Sequence, residues 1–177
     1  MRLFVGLELP EDLNRALAHM AVGLAGARWI IPANYHITLR FIGEVPAHVA
    51  QDIDDALSSL RGRGFTLTMS GVGCIEKSGR PVALWSGVER NSSLDHLQGK
   101  IETALQRAGL ASERRRFNPH VTLARCEQVP PEKLAQWMQA HNLVHLPQVQ
   151  ISHFTLFSSR LGKEHSVYTA EAEYTLS

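Results

Sequence analysis

The sequence is poor in cysteine, in long apolar runs and in unbalanced charge. Its 177 residues include two cysteines, and the formal net charge at pH 7 is +1. So few cysteines exclude a secreted scaffold built on disulfides, because such domains are dense in cysteine pairs. A charge near zero argues against a protein that coats nucleic acid non-specifically. No apolar run reaches the roughly 18 residues that a membrane-spanning helix needs, so we expect a cytoplasmic protein that does not insert into a membrane.

Sequence signatures of metal and cofactor sites are also missing. Cys74 and Cys126 are too far apart in sequence for a Cys-x-x-Cys pair, and no His-Glu-x-x-His stretch occurs. We therefore expect two reduced thiols without a catalytic role. We also expect an activity that uses neither a metal ion nor a cofactor.

What the sequence does contain is one short motif in two copies with matching flanks. Residues 36–41 read HITLRF and residues 120–125 read HVTLAR, so His, Thr and Leu recur at an offset of 84 residues. A Val-Pro pair follows each copy at the same distance, at 45–46 and at 129–130. A lone histidine in a strand is usually structural, but two histidines in matched contexts favour a catalytic pair.

Hydrophobic periodicity predicts the same order of elements around each copy: strand, helix, motif strand, helix and strand. The other expected strands cover 3–9, 65–75, 81–89 and 148–159, and the expected helices follow Pro10, Pro46, the Ser92 and Ser93 cap, and Pro130. A last strand or hairpin is expected within 162–176. This order indicates an α+β fold in one bilobal domain over 1–177, with an internal repeat of roughly 1–80 and 81–177. Antiparallel or mixed sheets would line a central cleft, with helices on the outside.

Alternation along the motif strands predicts what each copy presents. Side chains alternate between the two faces of a strand, so His36, Thr38 and Arg40 share one face and the apolar residues between them share the other. The apolar face is expected to pack on the helices. If a pseudo-twofold axis relates the lobes, the polar face meets His120 and Thr122 of the second copy across a shared cleft.

Two histidines beside one site suit an in-line displacement at phosphorus that needs no metal. Near neutral pH, a neutral imidazole takes a proton from the attacking hydroxyl while a protonated imidazole gives one to the leaving oxygen. The threonine hydroxyls, roughly 6.5 Å along each strand, are able to donate hydrogen bonds to the non-bridging phosphate oxygens. These residues alone do not fix which histidine is the acid and which is the base.

The paired motifs, the RLFVGLELP start and the RRFNPHVTLAR approach resemble the 2H phosphoesterase superfamily, and within it the bacterial RNA 2′,3′-cyclic phosphodiesterase (2′-5′ RNA ligase) family. The resemblance covers nearly the whole chain. It implies a bilobal α+β fold and hydrolysis of a 2′,3′-cyclic phosphate to a 2′-phosphomonoester. It also implies ATP-independent, reversible 2′-5′ joining of RNA ends. The expected partner is RNA or an oligonucleotide with a 2′,3′-cyclic phosphate end, bound by a monomer.

The resemblance also implies a role for each motif residue. His36 would be the general acid toward the 3′ oxygen, and His120 would be the base that activates water. Thr38, Thr122 and Arg125 would bind the phosphate, and no residue would bind a metal.

Strand alternation raises a difficulty for one of these roles. It places Arg125 on the face opposite His120, so Arg125 reaches the cleft only if the strand bulges, twists or ends nearby. Alternation places Arg40 on the same face as His36, which favours it over Arg125 as a cleft residue. Arg40 occupies a position, however, at which the family is less strict about residue type.

Two alternatives to this function remain open at the level of sequence. An enzyme of the same superfamily that acts on 2′-5′ oligoadenylate or another cyclic nucleotide would share every catalytic residue and differ in the loops near the base and ribose. A non-catalytic module that binds RNA ends is the other, and two intact His-x-Thr pairs argue against it. Phe4, Trp85 and Phe157 could stack on a base but are expected in the core.

Overall fold

The computed structural model describes every residue from 1 to 177, in ten strands and four α-helices. The strands are β1 (Arg2–Glu8), β2 (Ala27–Trp29), β3 (His36–Glu44), β4 (Phe65–Leu67), β5 (Met69–Lys77), β6 (Arg80–Val88), β7 (His120–Cys126), β8 (Val149–Ile151), β9 (His153–Leu161) and β10 (Ser166–Thr175). The helices are α1 (Glu11–Met20), α2 (Ala47–Ser58), α3 (Ser92–Arg107) and α4 (Pro131–His141). None of the helices is both long and apolar enough to cross a membrane.

Eight of the strands form one sheet that both lobes share. Its order is β10-β9-β1-β3-β7-β6-β5, and β2 is added beside β7. The lobes meet where β3 and β7 are neighbours, and β4 and β8 form a separate two-stranded sheet. Every pair of strands is antiparallel. The expected α+β fold with two lobes is confirmed.

Each lobe takes strands from both halves of the sequence. β5 follows α2 in the chain but pairs with β6 in the β7 lobe, and β9 follows α4 but pairs with β1 in the β3 lobe. The exchange interrupts the predicted strands 65–75 and 148–159 at Thr68 and at Ser152. The short pieces before these breaks, β4 and β8, pair with each other across the two halves.

The helices pack on the face of the sheet that carries the apolar residues of the motifs. Ile37 and Val121 on that face are fully buried, in one cluster of 35 buried residues that extends through both lobes. Helix α3 packs beside β3, and α4 packs beside β5. Helix α3 is capped by Asn91, whose side chain accepts a hydrogen bond from the Leu94 N–H at 3.1 Å, and not by the predicted serines. The opposite face of the sheet is left for the polar residues of the motifs.

A β-bulge in β3 changes the face that Arg40 occupies. Along β1, Gly6 faces Thr38 and the preceding Val5 faces Arg40, so Leu39 has no partner of its own and is an extra residue. Leu39 and Arg40 consequently both point to the helix side, and both are buried. The expectation that Arg40 shares the polar face with His36 is wrong, because simple alternation does not continue through a bulge.

Arg40 instead forms a buried ion pair with helix α3. Its Nε lies 2.7 Å from Oε2 of Glu102, with the two side chains 9% and 17% exposed. Nη1 and Nη2 each donate to a backbone carbonyl, that of Phe41 and that of Ala111. Burial raises the pKa of Glu102, but hydrogen bonds from the Glu113 N–H, Arg40 and Gln106 outweigh burial, so this pKa lies below its usual range. The ion pair therefore stabilises the attachment of α3 to the central strand.

We expect Arg40→Met to lower the free energy of unfolding by about 3 kcal/mol, because it leaves a largely buried carboxylate without its cation. The double variant Arg40→Met/Glu102→Met should recover part of this loss, since it removes both charges. The wild-type contribution should be complete above the ordinary glutamate pKa and disappear as the pH falls through the lowered pKa of Glu102. Urea denaturation at several pH values measures both effects. Equal stability of Arg40→Met and the wild type would contradict them.

Candidate active site

The two motif strands lie side by side but pair at one position. Ile37 faces Val121, and beyond this pair β2 takes the place of β3 beside β7. In an antiparallel pair, this register brings His36 alongside Thr122 and Thr38 alongside His120. The four polar side chains of the two motifs thus lie on one face, around the point where the lobes meet.

Both histidines are held by a backbone carbonyl two residues earlier in the chain. Nδ1 of His36 lies 2.7 Å from the Asn34 carbonyl oxygen, and Nδ1 of His120 lies 2.7 Å from that of Asn118. A carbonyl oxygen only accepts, so each Nδ1 carries a hydrogen, and Nε2 is the ring nitrogen that exchanges a proton. The signal is already in the sequence, because both copies read Asn-x-His-x-Thr-Leu.

The environment of His36 disfavours its positive charge. Burial lowers the pKa of His36, the hydrogen bond to the Asn34 carbonyl raises it, and the charge of His120 lowers it. The net shift is downward. The influence of His120 also means that the two imidazoles are near enough to affect each other's protonation.

The Thr38 hydroxyl completes the surroundings of His36. Its Oγ1 lies 3.0 Å from Nε2 of His36, and the Thr38 side chain is otherwise exposed on the open face of the sheet. A hydroxyl both donates and accepts hydrogen bonds, so Thr38 is able to turn toward a bound phosphate when the imidazole changes its protonation state.

A second β-bulge, in β7, turns Arg125 toward the cleft. Thr122 and Ala124 face consecutive residues of β6, so Leu123 between them is the extra residue. Leu123 and Ala124 are both fully buried, and Arg125 then falls on the same face as Thr122. This is the bulge that the sequence required if Arg125 was to reach the cleft. The two bulges occupy equivalent positions in the two lobes.

One cavity of about 320 Å³ contains four of the five predicted site residues, namely His36, Thr38, Thr122 and Arg125. The remaining lining residues are Arg2, Phe4, Ile30, Asn34, Phe41, Ser159, Leu161, Ser166 and Tyr168. His120 lies outside the lining of this cavity and beside Trp85, with 6.2 Å between the ring centroids. The site is therefore a cavity around His36 and Arg125 that adjoins an open surface at His120.

Aromatic rings surround the imidazole of His36. The centroid of Phe4 lies 4.8 Å from it, and the ring of Tyr168 stands nearly perpendicular to it at 5.2 Å. Phe4 and Phe157 are buried, as expected, and stack on each other at 5.0 Å. Tyr168, on β10, was not predicted as a site residue. Nothing in the sequence around it indicates that the last strand returns to the first lobe.

A third His-x-Thr-Leu stretch, His153–Leu156, lacks the Asn-x-His context and the Val-Pro pair of the other two. Thr155 is fully buried, and His153 lies between Glu8 and Glu173, with the possible ligand atoms of the three residues within 4.8 Å of one another. Two of the three side chains are exposed carboxylates, which commonly lie together without a metal ion. What distinguishes the first two copies is their matched Asn-x-His context and their position on β3 and β7.

The chain belongs to the 2′-5′ RNA ligase superfamily, whose family model matches residues 32–163. It is 32% identical over 160 residues to the RNA 2′,3′-cyclic phosphodiesterase of Aeropyrum pernix, with 88% of each chain covered. The RNA 2′,3′-cyclic phosphodiesterase of Escherichia coli is 28% identical over 99% of this chain and 96% of its own. The structure of Escherichia coli LigT in apo form resembles this one with a TM-score of 0.80 and 26% identity, covering 99% of this chain and 96% of that chain. The resemblance predicted from the motifs is confirmed.

We expect Arg125→Gln to weaken the binding of inorganic phosphate by about tenfold or more, because a charge-assisted hydrogen bond to the anion is lost. Arg15→Gln removes the same charge from α1, where Arg15 pairs with Glu11 outside the cavity, and is the matched control. Titration with phosphate, followed by NMR, measures both affinities. Equal losses for the two variants would indicate a general effect of net charge and would contradict a phosphate contact at Arg125.

Proposed function

We propose that this protein is a metal-independent RNA 2′,3′-cyclic phosphodiesterase that opens a 2′,3′-cyclic phosphate end to a 2′-phosphomonoester. The observation that carries the proposal is the arrangement of two imidazoles on adjacent antiparallel strands, each with Nδ1 held by a backbone carbonyl, so that Nε2 is the nitrogen left for proton transfer. The printed names of the relatives in Aeropyrum pernix and Escherichia coli support the same activity.

In the proposed reaction, the two histidines act on opposite sides of the phosphorus. His120 Nε2 takes a proton from water as the water oxygen attacks, the bond from phosphorus to the 3′ oxygen breaks, and His36 Nε2 gives a proton to that oxygen. The product keeps its phosphate on the 2′ oxygen. His36 must be protonated at this step although its surroundings disfavour the charge, and the negative phosphodiester in the cavity compensates because an opposite charge favours the imidazolium.

The other cleft residues would bind the phosphate itself. Thr38 and Thr122 would donate hydrogen bonds to the two non-bridging oxygens from opposite strands. Arg125 would add a full positive charge, which stabilises the extra negative charge of the transition state. The strands place these residues around one point before substrate arrives, and the Thr38 hydroxyl would turn from Nε2 of His36 toward the phosphate.

The same groups would support 2′-5′ joining of RNA ends without ATP. A 5′ hydroxyl would replace water at His120, attack the phosphorus and expel the 3′ oxygen, which His36 protonates. No high-energy cofactor is needed, because the strained cyclic phosphate supplies the driving force. The proposed partner is accordingly an RNA or oligonucleotide end, bound by a monomer in the cytoplasm.

We expect His36→Ala and His120→Ala each to lower turnover by a factor on the order of 10² to 10⁴, as the loss of a general acid or base does. The substrate is an RNA ending in a 2′,3′-cyclic phosphate, assayed in the presence of EDTA. His153→Ala is the matched control, because it alters the third His-x-Thr-Leu stretch away from β3 and β7, and it should stay close to the wild type. Near-normal turnover in either motif variant would contradict the mechanism.

We expect the pH profiles of kcat/KM and kcat to be bells within roughly pH 5 to 8, with the kcat bell displaced to higher pH. In the free protein, burial and the charge of His120 lower the pKa of His36, the proposed acid, so the limb on which kcat/KM falls with rising pH is displaced to lower pH. Bound phosphate favours the protonated imidazole and moves the kcat limbs upward. Steady-state kinetics at closely spaced pH values measures both profiles. A kcat bell at lower pH than kcat/KM, or a rate still climbing at about pH 9, would contradict this account.

A further inference from the structure

Trp85 occupies a position beside His120 that the hydrophobic core does not explain. It lies on β6 opposite Thr122, two residues before Gly87, which faces His120. Paired residues of neighbouring strands point to the same face, so the indole lies on the open, polar face of the sheet. Trp85 is half-buried and is neither part of the core cluster nor packed against it. The expectation that Trp85 belongs to the core is wrong.

A glycine on the neighbouring strand makes room for the indole to lie flat on the sheet. A β-carbon on Gly73, the partner of Trp85 on β5, would lie 2.2 Å from Cζ2 of the indole. A β-carbon on Gly87 would meet the Ser70 carbonyl oxygen at 2.4 Å before Cζ3 of the indole at 3.0 Å, so Gly87 is required chiefly by the neighbouring backbone. Neither glycine has the positive φ that would require glycine for the backbone, whereas Gly71 nearby does. The space taken by the indole is therefore the reason that Gly73 has no side chain.

The indole also keeps an unused hydrogen-bond donor. Its Nε1–H makes no hydrogen bond within the protein and is not among the buried polar atoms without a partner, so it faces solvent. By contrast, Nε1 of Trp137 in the core donates to the Met20 carbonyl at 3.0 Å. A flat aromatic ring with a free donor, supported from below by backbone and located next to a proposed catalytic histidine, is the chemistry that binds a nucleoside.

We infer that Trp85 stacks on the nucleoside that carries the 5′ oxygen, on the far side of a 2′-5′ linkage. This inference rests on the proposed function, which assigns His120 to the oxygen that enters or leaves opposite the 3′ oxygen. In cleavage of a 2′-5′ linkage, the 3′ hydroxyl gives its proton to His36 and attacks the phosphorus. The bond from phosphorus to the 5′ oxygen breaks, and His120 protonates that oxygen. Its nucleoside must therefore lie on the His120 side, where Trp85 is.

The inference separates two substrates that share every catalytic residue. Adenosine 2′,3′-cyclic phosphate has no nucleoside on the His120 side, since water enters there, whereas 2′-5′-linked ApA has one. We expect Trp85→Ala to reduce kcat/KM for 2′-5′ ApA by about ten-fold to a hundred-fold, mainly through KM, as the loss of one base stack does. The loss for the cyclic phosphate should be at least several-fold smaller. Trp85→Phe, which keeps an aromatic ring, should retain much of the kcat/KM for 2′-5′ ApA that Trp85→Ala loses.

Gly73→Val is a second variant, because it displaces the indole without removing it. It should lower the ratio of kcat/KM for 2′-5′ ApA to kcat/KM for the cyclic phosphate. The inhibition constant of 2′-5′ ApA against hydrolysis of the cyclic phosphate gives an independent measure if ApA turns over slowly. Equal losses on both substrates would overturn the inference and assign Trp85 a role in positioning His120, and no loss on either would overturn it as well. A wild type that hydrolyses neither substrate would instead contradict the proposed function, and the inference with it.

Discussion

The single backbone pairing of Ile37 with Val121 is the constraint on which the rest of the site depends. The two motif strands are antiparallel and pair only there, so the polar residues that flank Ile37 lie next to the polar residues that flank Val121. A slip by one residue would send the histidines to the helix side and the apolar residues to solvent. The buried positions of Ile37 and Val121 therefore fix the register, and the register places the two imidazoles.

Two equivalent bulges extend this arrangement beyond the motifs. In each lobe the residue four positions after the histidine turns to the helix side and the next residue turns to the cleft. In the first lobe these are Arg40, which anchors helix α3 through Glu102, and Phe41, which lines the cavity. In the second lobe they are Ala124, which is fully buried, and Arg125, which lines the same cavity. One local distortion thus gives two arginines opposite tasks, one in cohesion and the other in the proposed phosphate contact.

Much of this could be predicted from the sequence, because local patterns carry it. The strand periods, the helices that follow a proline and the repeat of the motif at an offset of 84 residues gave the element order and the two-lobed fold. Alternation failed at Arg40, since a bulge depends on pairing with β1 and leaves no trace in β3 itself. The return of β10 to the first lobe, which brings Tyr168 to His36, depends on non-local pairing in the same way. An aromatic residue in a strand is expected in the core, and the sequence around Trp85 does not show that Gly73 lies opposite it on β5.

In the proposed mechanism, two histidines act from opposite sides of one phosphorus atom in a single displacement. The most direct test is hydrolysis of one diastereomer of adenosine 2′,3′-cyclic phosphorothioate by the protein in water enriched in oxygen-18. The position and the configuration of the phosphorothioate in the product are then determined. A single in-line attack from the His120 side, with the 3′ oxygen leaving toward His36, predicts a 2′-phosphorothioate with inverted configuration. Retention of configuration would indicate a covalent intermediate on the protein, and a 3′-phosphorothioate would indicate that the other oxygen leaves; either result would contradict the account.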